Sequence, residues 1–419
     1  MNNQWLEDYI LLALRIDKVM RGLSDKPYVD YYYGPPELRE RVEAEAEMPA
    51  GELVEEAQRL IDMLSGQDFE PRRSRYLHKH VRAMETISRK MNGEKFSLED
   101  EVESCFDIRP AWIPETQFEE ALALYNEVLP GKGTLARRLF EWRRQYQLPW
   151  QKLELLPELI GQTLVEVRQR TMRLVELPVE EVVDVRANVD MDLGAACWYK
   201  GGYRSEIEIS SVFNNLSSLP DLLCHEVYPG HHTECVLKEQ HLYRLRGYME
   251  QALGIILSPQ AVISEGIATN ACEMIFAPGE VEQWLKEYVY PRVGIELDAS
   301  ARVDKMKLNR ARDLLEGVRC NALFMMREGR PQDEVMDYLA KYMQGPNLGL
   351  LSDPWHEGYV FTYFYGRQLM QAWLQKEDRE AIFRRLLVEE MCPSDLVQSE
   401  LPDTSEKATG KERIRDDEH

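Results

Sequence analysis

The chain has 419 residues, 44% of them apolar, which is enough for one large core or two moderate ones. Its 73 acidic against 51 basic residues give a formal charge of -22, which repels phosphate backbones and anionic lipid and argues against nucleic acid as a partner. Seven cysteines without any Cys-x-x-Cys spacing argue against a disulfide framework or a thiolate zinc cluster, so a reduced, cytoplasmic setting is expected.

From Trp5 to Met20 the apolar residues Leu6, Ile10, Leu11, Leu14, Ile16 and Val19 keep the three-and-four spacing of an amphipathic helix. Glu7 and Asp8 stand where a signal peptide would carry basic residues, and no small-residue cleavage site follows. The run from Tyr28 to Tyr33 and Gly34-Pro35-Pro36 reads as a tight turn before a helix opening at Pro36. Helical period recurs at 50–64, 71–91, 115–128, 133–146 and 150–176. His78 and His80, two apart among Arg and Lys, read as exposed surface residues.

The texture changes between Leu177 and Ser211. Val alternates with charged residues from Glu180 to Val189, and Tyr203 to Ser210 alternates strictly, as a half-buried strand does. A hairpin covering the helices is one reading; an edge strand that pairs with an extended peptide is the sharper one. Helical period returns at 259–276, 281–328, 332–343 and 356–375. The apolar stretch Ala252 to Ile263 is short and broken by Ser258 and Pro259, so no membrane span is expected.

The expected fold is mostly α, with a small β-hairpin or edge strand near residues 180–210. Residues 1–176 form a helical part and 177–395 a part holding the chemistry, joined as one compact unit, with a disordered tail over 396–419. No feature of the sequence fixes the oligomeric state.

Chemistry concentrates in Cys224-His225-Glu226-Val227-Tyr228-Pro229-Gly230-His231-His232. A zinc protease helix spells His-Glu-x-x-His, so that two imidazoles four apart reach one ion while the glutamate activates its water. Here the fourth residue on is Pro229. On a regular helix a ligand at i+6 lies about 120° off the face of His225, and one at i+7 returns to that face about 10.5 Å further along. Neither shares an ion whose ligand bonds are about 2 Å long.

Pro229 has no N–H for the carbonyl of His225 and its ring clashes with that carbonyl, so the helix must bulge. A bulge of two residues brings in His231, and one of three residues His232. His-Glu alone is weak evidence, since His356-Glu357 repeats it.

A third ligand is expected at Glu265, which stands beside Gly266 among Ala261, Val262, Ala268 and Ala271. A carboxylate on an apolar helix face is costly unless it is paired or metal-bound. Glu273 and Glu234 are lesser candidates. The stretch Gly358 to Arg367 is aromatic enough for plain core. Even so, a hydroxyl of Tyr359 or Tyr363 near the metal could donate to an oxyanion, and Arg367 could grip a carboxylate.

The His-Glu-x-x-Pro-Gly-His spelling of His225 to His231, followed by Glu265-Gly266, resembles the bacterial family known as domain of unknown function 885, whose members look like helical zinc metallopeptidases. The Gly358 to Gly366 stretch is similar to the Gly-Tyr-x-x-x-Tyr segment of Taq-type zinc carboxypeptidases, which are mostly helical with a groove over the metal. The resemblance covers residues 1 to about 390. It implies His225, His231 and Glu265 as zinc ligands and Glu226 as general base. One departure is Cys272 where the family commonly places a second acid, with Glu273 one place late.

The expectation is therefore a zinc peptidase acting on small peptides as a carboxypeptidase or dipeptidase, with Glu226 deprotonating a metal-activated water. Tyr359 or Tyr363 is expected at the oxyanion, and Tyr203, Arg204 and Arg367 at the substrate. A zinc amidohydrolase acting on a non-peptide amide and a non-catalytic helical metal-binding protein are the alternatives.

Overall fold

The computed structural model describes residues 4–188, 194–210, 213–297, 303–345, 348–376 and 378–397. Eight helices open the chain, interrupted by one strand: α1 (Gln4–Met20), β1 (Val29–Tyr32), α2 (Pro36–Ala44), α3 (Ala50–Leu64), α4 (Pro71–Met91), α5 (Leu98–Phe106), α6 (Glu115–Val128), α7 (Leu135–Arg144) and α8 (Leu156–Leu174). Three strands follow, β2 (Val182–Asn188), β3 (Ala195–Gly201) and β4 (Arg204–Ser210). The metal-motif region holds α9 (Leu219–Glu226), α10 (His231–Lys238), β5 (Leu253–Ile255) and α11 (Pro259–Ile275). The remainder is α12 (Glu280–Trp284), α13 (Tyr290–Val293), α14 (Lys305–Leu315), α15 (Gly317–Arg327), α16 (Gln332–Lys341), α17 (Val360–Leu374), α18 (Arg379–Val388) and α19 (Pro393–Leu396).

The protein is thus mostly α, and local chemistry sets many helix starts. Proline occupies the first turn of α2, α4, α8, α9 and α11, where its missing N–H has no intrahelical partner to lose. The side chains of Ser97, Thr134 and Asp304 accept from backbone N–H groups at the starts of α5, α7 and α14. Most of the apolar stripes meet in a large core that runs from Trp5 in α1 to Cys392 beside α19, and a second cluster joins Ile263 and Ile267 of α11 to Met370 of α17 and Phe383 and Leu386 of α18. None of the described helices is long and apolar enough to cross a membrane.

A three-stranded sheet stands where a small hairpin or edge strand was expected, and a second, two-stranded sheet lies elsewhere in the chain. β3 and β4 form an antiparallel hairpin, and β2 joins the other side of β4 in parallel. β4 is therefore the middle strand, paired along both edges, and the edge-strand reading of Tyr203 to Ser210 fails. The second sheet pairs β1 with β5 in antiparallel register, Val29 to Ile255 and Tyr31 to Gly254. Most of the Tyr28 to Tyr33 run, Val29 to Tyr32, is consequently strand rather than a tight turn, stabilised by a partner more than 200 residues away.

Two further expectations change. His80 is 2% exposed, with Nδ1 2.9 Å from the carbonyl of Tyr76, because α4 is covered on that side. The tail expected from residue 396 lies outside the described residues only from 398. Leu396 belongs to α19, and its carbonyl accepts from Trp373 Nε1 at 2.7 Å.

Candidate metal centre

α9 opens with Leu219-Pro220, buries Leu223 and Cys224, and stops at Glu226. The backbone N–H groups of Val227 and Tyr228 both turn back to the carbonyl of Leu223, at 3.0 and 3.1 Å. Pro229 has no N–H, and that of Gly230 reaches the carbonyl of Cys224 at 2.9 Å. α10 then starts afresh at His231.

The expected bulge within one helix is therefore a break between two helices. Gly230 makes the break possible. A Cβ there would stand 1.8 Å from the carbonyl oxygen of His225 and 2.4 Å from that of Cys224. Both are backbone atoms that cannot step aside, so only glycine admits so close a return of the chain.

The break aims His231 back at His225. Their Nε2 atoms lie 3.2 Å apart and their ring planes cross at 88°. Glu265, less than two turns into α11, completes the group: Oε2 is 3.5 Å from His225 Nε2 and Oε1 is 3.9 Å from His231 Nε2. These three side chains are brought together with mutual separations suited to one metal ion. Two ligands of a tetrahedral ion with bonds of about 2.0–2.1 Å stand roughly 3.3 Å apart, so the nitrogen separations fit zinc. Glu265 Oε2 is buried without any hydrogen-bond partner, an orphan acceptor whose desolvation a cation would offset.

The electrostatics agree with a cation site. Burial and the neighbouring His231 hold His225 well below the usual imidazole range, with Asp221 pulling the other way. Burial brings His231 down to about 4. Both rings are neutral at pH 7, the form that binds metal. Burial pushes the Glu265 carboxyl up to about 8; the Tyr359 hydrogen bond opposes this, and the charges of Glu226, Glu234 and Glu316 add to it. Glu226 is pushed to about 8 as well, by burial and then by Asp30.

Groups around these three side chains fix their orientation. His231 Nδ1 is 3.0 Å from Ser264 Oγ, and Tyr359 Oη donates to Glu265 Oε1 at 2.7 Å. Tyr359 and Tyr363 reach the site because α17 lies directly on α11. A Cβ on Gly266 would be 2.7 Å from the carbonyl oxygen of Gly366, and one on Gly366 would be 2.5 Å from that of Val262. The rings of Tyr359 and Tyr363 are 5.7 Å apart, and the charges of Glu265 and Glu226 both act on the Tyr363 hydroxyl. Glu226 stands beside the group, Oε1 4.0 Å from His225 Nε2.

Four expected site residues lie elsewhere. His232 points away from His231 into the fold, with Nε2 3.0 Å from Glu181 Oε2 and Nδ1 2.7 Å from Ser205 Oγ, so it is no ligand. Arg367 is spent inside the protein, bonded to Glu273 and Asp313 at 2.7 Å each and to the carbonyl of Thr269. That also gives Glu273 its partner. Arg204 pairs with Asp184 at 3.0 Å, and Tyr203 sits in the β3–β4 turn at φ 62° under the guanidinium of Arg244. The premise for these two, an edge strand, is gone. His356, of the second His-Glu pair, bonds Asp353 and the carbonyl of Pro27, a structural post.

Sequence reasoning missed Ser264, Glu181 and Asp30. Only Ser264, next to Glu265, stood close enough in sequence to be suggested.

No protein-family model matches the chain, and no curated protein does. Among solved structures, a protein from Colwellia psychrerythraea described as a "putative lipoprotein" superposes with a TM-score of 0.50 at 14% identity, over 84% of this chain. The present chain spans 66% of that protein's length. At this identity the likeness concerns the fold alone.

Proposed function

We propose that the protein is a zinc-dependent peptidase acting on small peptides. The observation that carries this reading is the meeting of His225, His231 and Glu265, two neutral imidazoles and an orphaned carboxylate oxygen, beside the unligated carboxyl of Glu226. The motif resemblance to the domain of unknown function 885 family supports it.

A zinc ion held by His225, His231 and Glu265 would supply Lewis acidity, acidifying a water and polarising the scissile carbonyl. Glu226 accepts the proton that water loses and passes it to the departing amine, so one water is consumed for each amide split into acid and amine. Without metal that carboxyl sits at about 8, and the positive charge of a bound ion would lower it toward the range in which one group both accepts and returns a proton. Tyr359 orients Glu265 through its hydrogen bond. Tyr363, whose hydroxyl is committed to no partner among the described residues, is the donor for the developing oxyanion. His225 and His231 keep 23% and 18% of their side-chain surface, so solvent and substrate reach the centre.

The test is metal analysis and peptide hydrolysis on wild type beside Glu226→Gln. Stoichiometric zinc in both, with hydrolysis only in the wild type, is expected. A gently purified protein without a divalent ion, or a Glu226→Gln variant as active as wild type, would overturn the reading.

A further inference from the structure

A string of ion pairs joins the helix of His225 to the helix of Glu265 by a route that avoids the metal group. Asp221 stands one turn before His225 on α9, and its Oδ2 is 3.0 Å from Arg312 Nη1 on α14. The next residue, Asp313, is 3.5 Å from Arg312 Nε through Oδ1 and 2.7 Å from Arg367 Nη2 through Oδ2. Arg367, on α17, donates from Nη2 to Glu273 Oε1 at 2.7 Å and from Nη1 to the carbonyl of Thr269, both on α11. Thr269 stands one turn after Glu265, and its hydroxyl donates to the Glu265 carbonyl at 2.7 Å.

The string therefore begins a turn away from one ligand and ends a turn away from another. Cohesion alone does not call for it. α11 already packs directly on α9 and on α17. The Arg367 side chain is only 6% exposed, and ion pairs so deeply buried rarely outweigh their desolvation; apolar side chains of similar volume stabilise as well or better.

What apolar packing lacks is direction. Ridges laid into grooves admit a spread of crossing angles of some 15–20°. A planar guanidinium whose fork is filled by carboxylates and a carbonyl fixes where its partners stand. A chelate needs that precision, because each ligand atom must come within about 2 Å of one ion.

We propose that Arg367 and Arg312 are positioning residues, a brace through α14 and α17 that holds α9 and α11 in the register at which His225 and Glu265 share an ion. The inference rests on the metal centre of the peptidase reading, and not on the reaction performed there.

Zinc affinity, by competition with a chromophoric chelator, and the visible absorption of the cobalt-loaded protein test the brace on folded samples. Arg367→Met should weaken zinc binding about 10–100-fold and alter the cobalt bands, and Arg367→Lys should recover only part of the loss, since one ammonium cannot reproduce the fork. Arg312→Gln opens the half-exposed end and leaves the buried Arg367–Asp313 pair in place, so it should fold and weaken zinc by about 3–10-fold. As a control, Leu60→Ala cuts the core in α3, which packs on α1 and α4; it should lower the melting temperature yet keep zinc affinity within about twofold of wild type. Unchanged affinity and cobalt bands in Arg312→Gln and in the Arg367 variants that fold, or an equal loss in Leu60→Ala, overturn the inference and leave the peptidase reading standing. A wild type that binds no ion defeats both.

Discussion

Gly266 and Gly366 meet backbone to backbone, and their contact sets how far Tyr359 stands from Glu265. A methyl group at Gly366 would meet the carbonyl oxygen of Val262 at 2.5 Å and Gly266 N at 2.9 Å, neither of which can rotate away. Gly366→Ala should therefore push α17 off α11 and cost about 1–3 kcal/mol. Thermal or urea melts measure the loss, and peptide turnover should fall with it.

Gly230→Ala should be more damaging at the site than in the fold at large. The added Cβ would overlap the His225 carbonyl, so the turn must open and the two imidazoles separate. Equilibrium dialysis should show zinc affinity reduced by at least about 100-fold. Affinity equal to wild type would mean that the turn can relax without moving His225.

The adjacent histidines should behave oppositely. His231→Ala removes a ligand and should abolish stoichiometric zinc. His232→Ala should keep zinc but unfold more easily, by about 2–3 kcal/mol, because Glu181 and Ser205 lose a buried partner.

The two tyrosines should also separate. Tyr359→Phe removes the donor to Glu265 and should weaken zinc binding by about 10–100-fold. Tyr363→Phe should bind zinc as wild type does while kcat drops about 100-fold or more. Identical profiles for the two variants would refute this division of labour.

Two opposite pH effects are expected. Burial raises Glu181, but hydrogen bonds from His232, Tyr228 and Arg168 outweigh it and bring the carboxyl down to about 2 from 4.5. Its stabilising contribution, roughly 3 kcal/mol, is present above pH 4.5 and disappears as pH falls toward 2. Glu226 and Glu265 sit at about 8, so between pH 4.5 and 8 the metal-free native state holds protons that the unfolded state has lost. Metal-stripped protein should thus lose stability as pH rises through that window. Zinc uptake at pH 7 should release protons, with affinity climbing up to about pH 8. Melting curves and calorimetry in buffers of different ionisation enthalpy check both effects.

The helical period carries enough information to place 50–64, 71–91 and 115–128, since those segments bury one stripe each against neighbouring helices. Glu265 is legible because a carboxylate on an otherwise apolar face has few purposes. What local reading misses is decided by distant partners. Nothing between Tyr28 and Tyr33 announces Leu253 to Ile255 as the other strand. The choice between His231 and His232 depends on Glu181, some 50 residues upstream, and the burial of Arg367 depends on Asp313 in another helix.

The interruption at Pro229-Gly230 changes what an ion does mechanically. Two histidines one turn apart on a single rod hold their spacing whether or not an ion is present. Here the rings sit on separate rods meeting at a hinge, with the third donor on α11. A shared ion is therefore a rivet through three parts, and backbone amide exchange in α9, α10 and α11 should slow together when it is driven home.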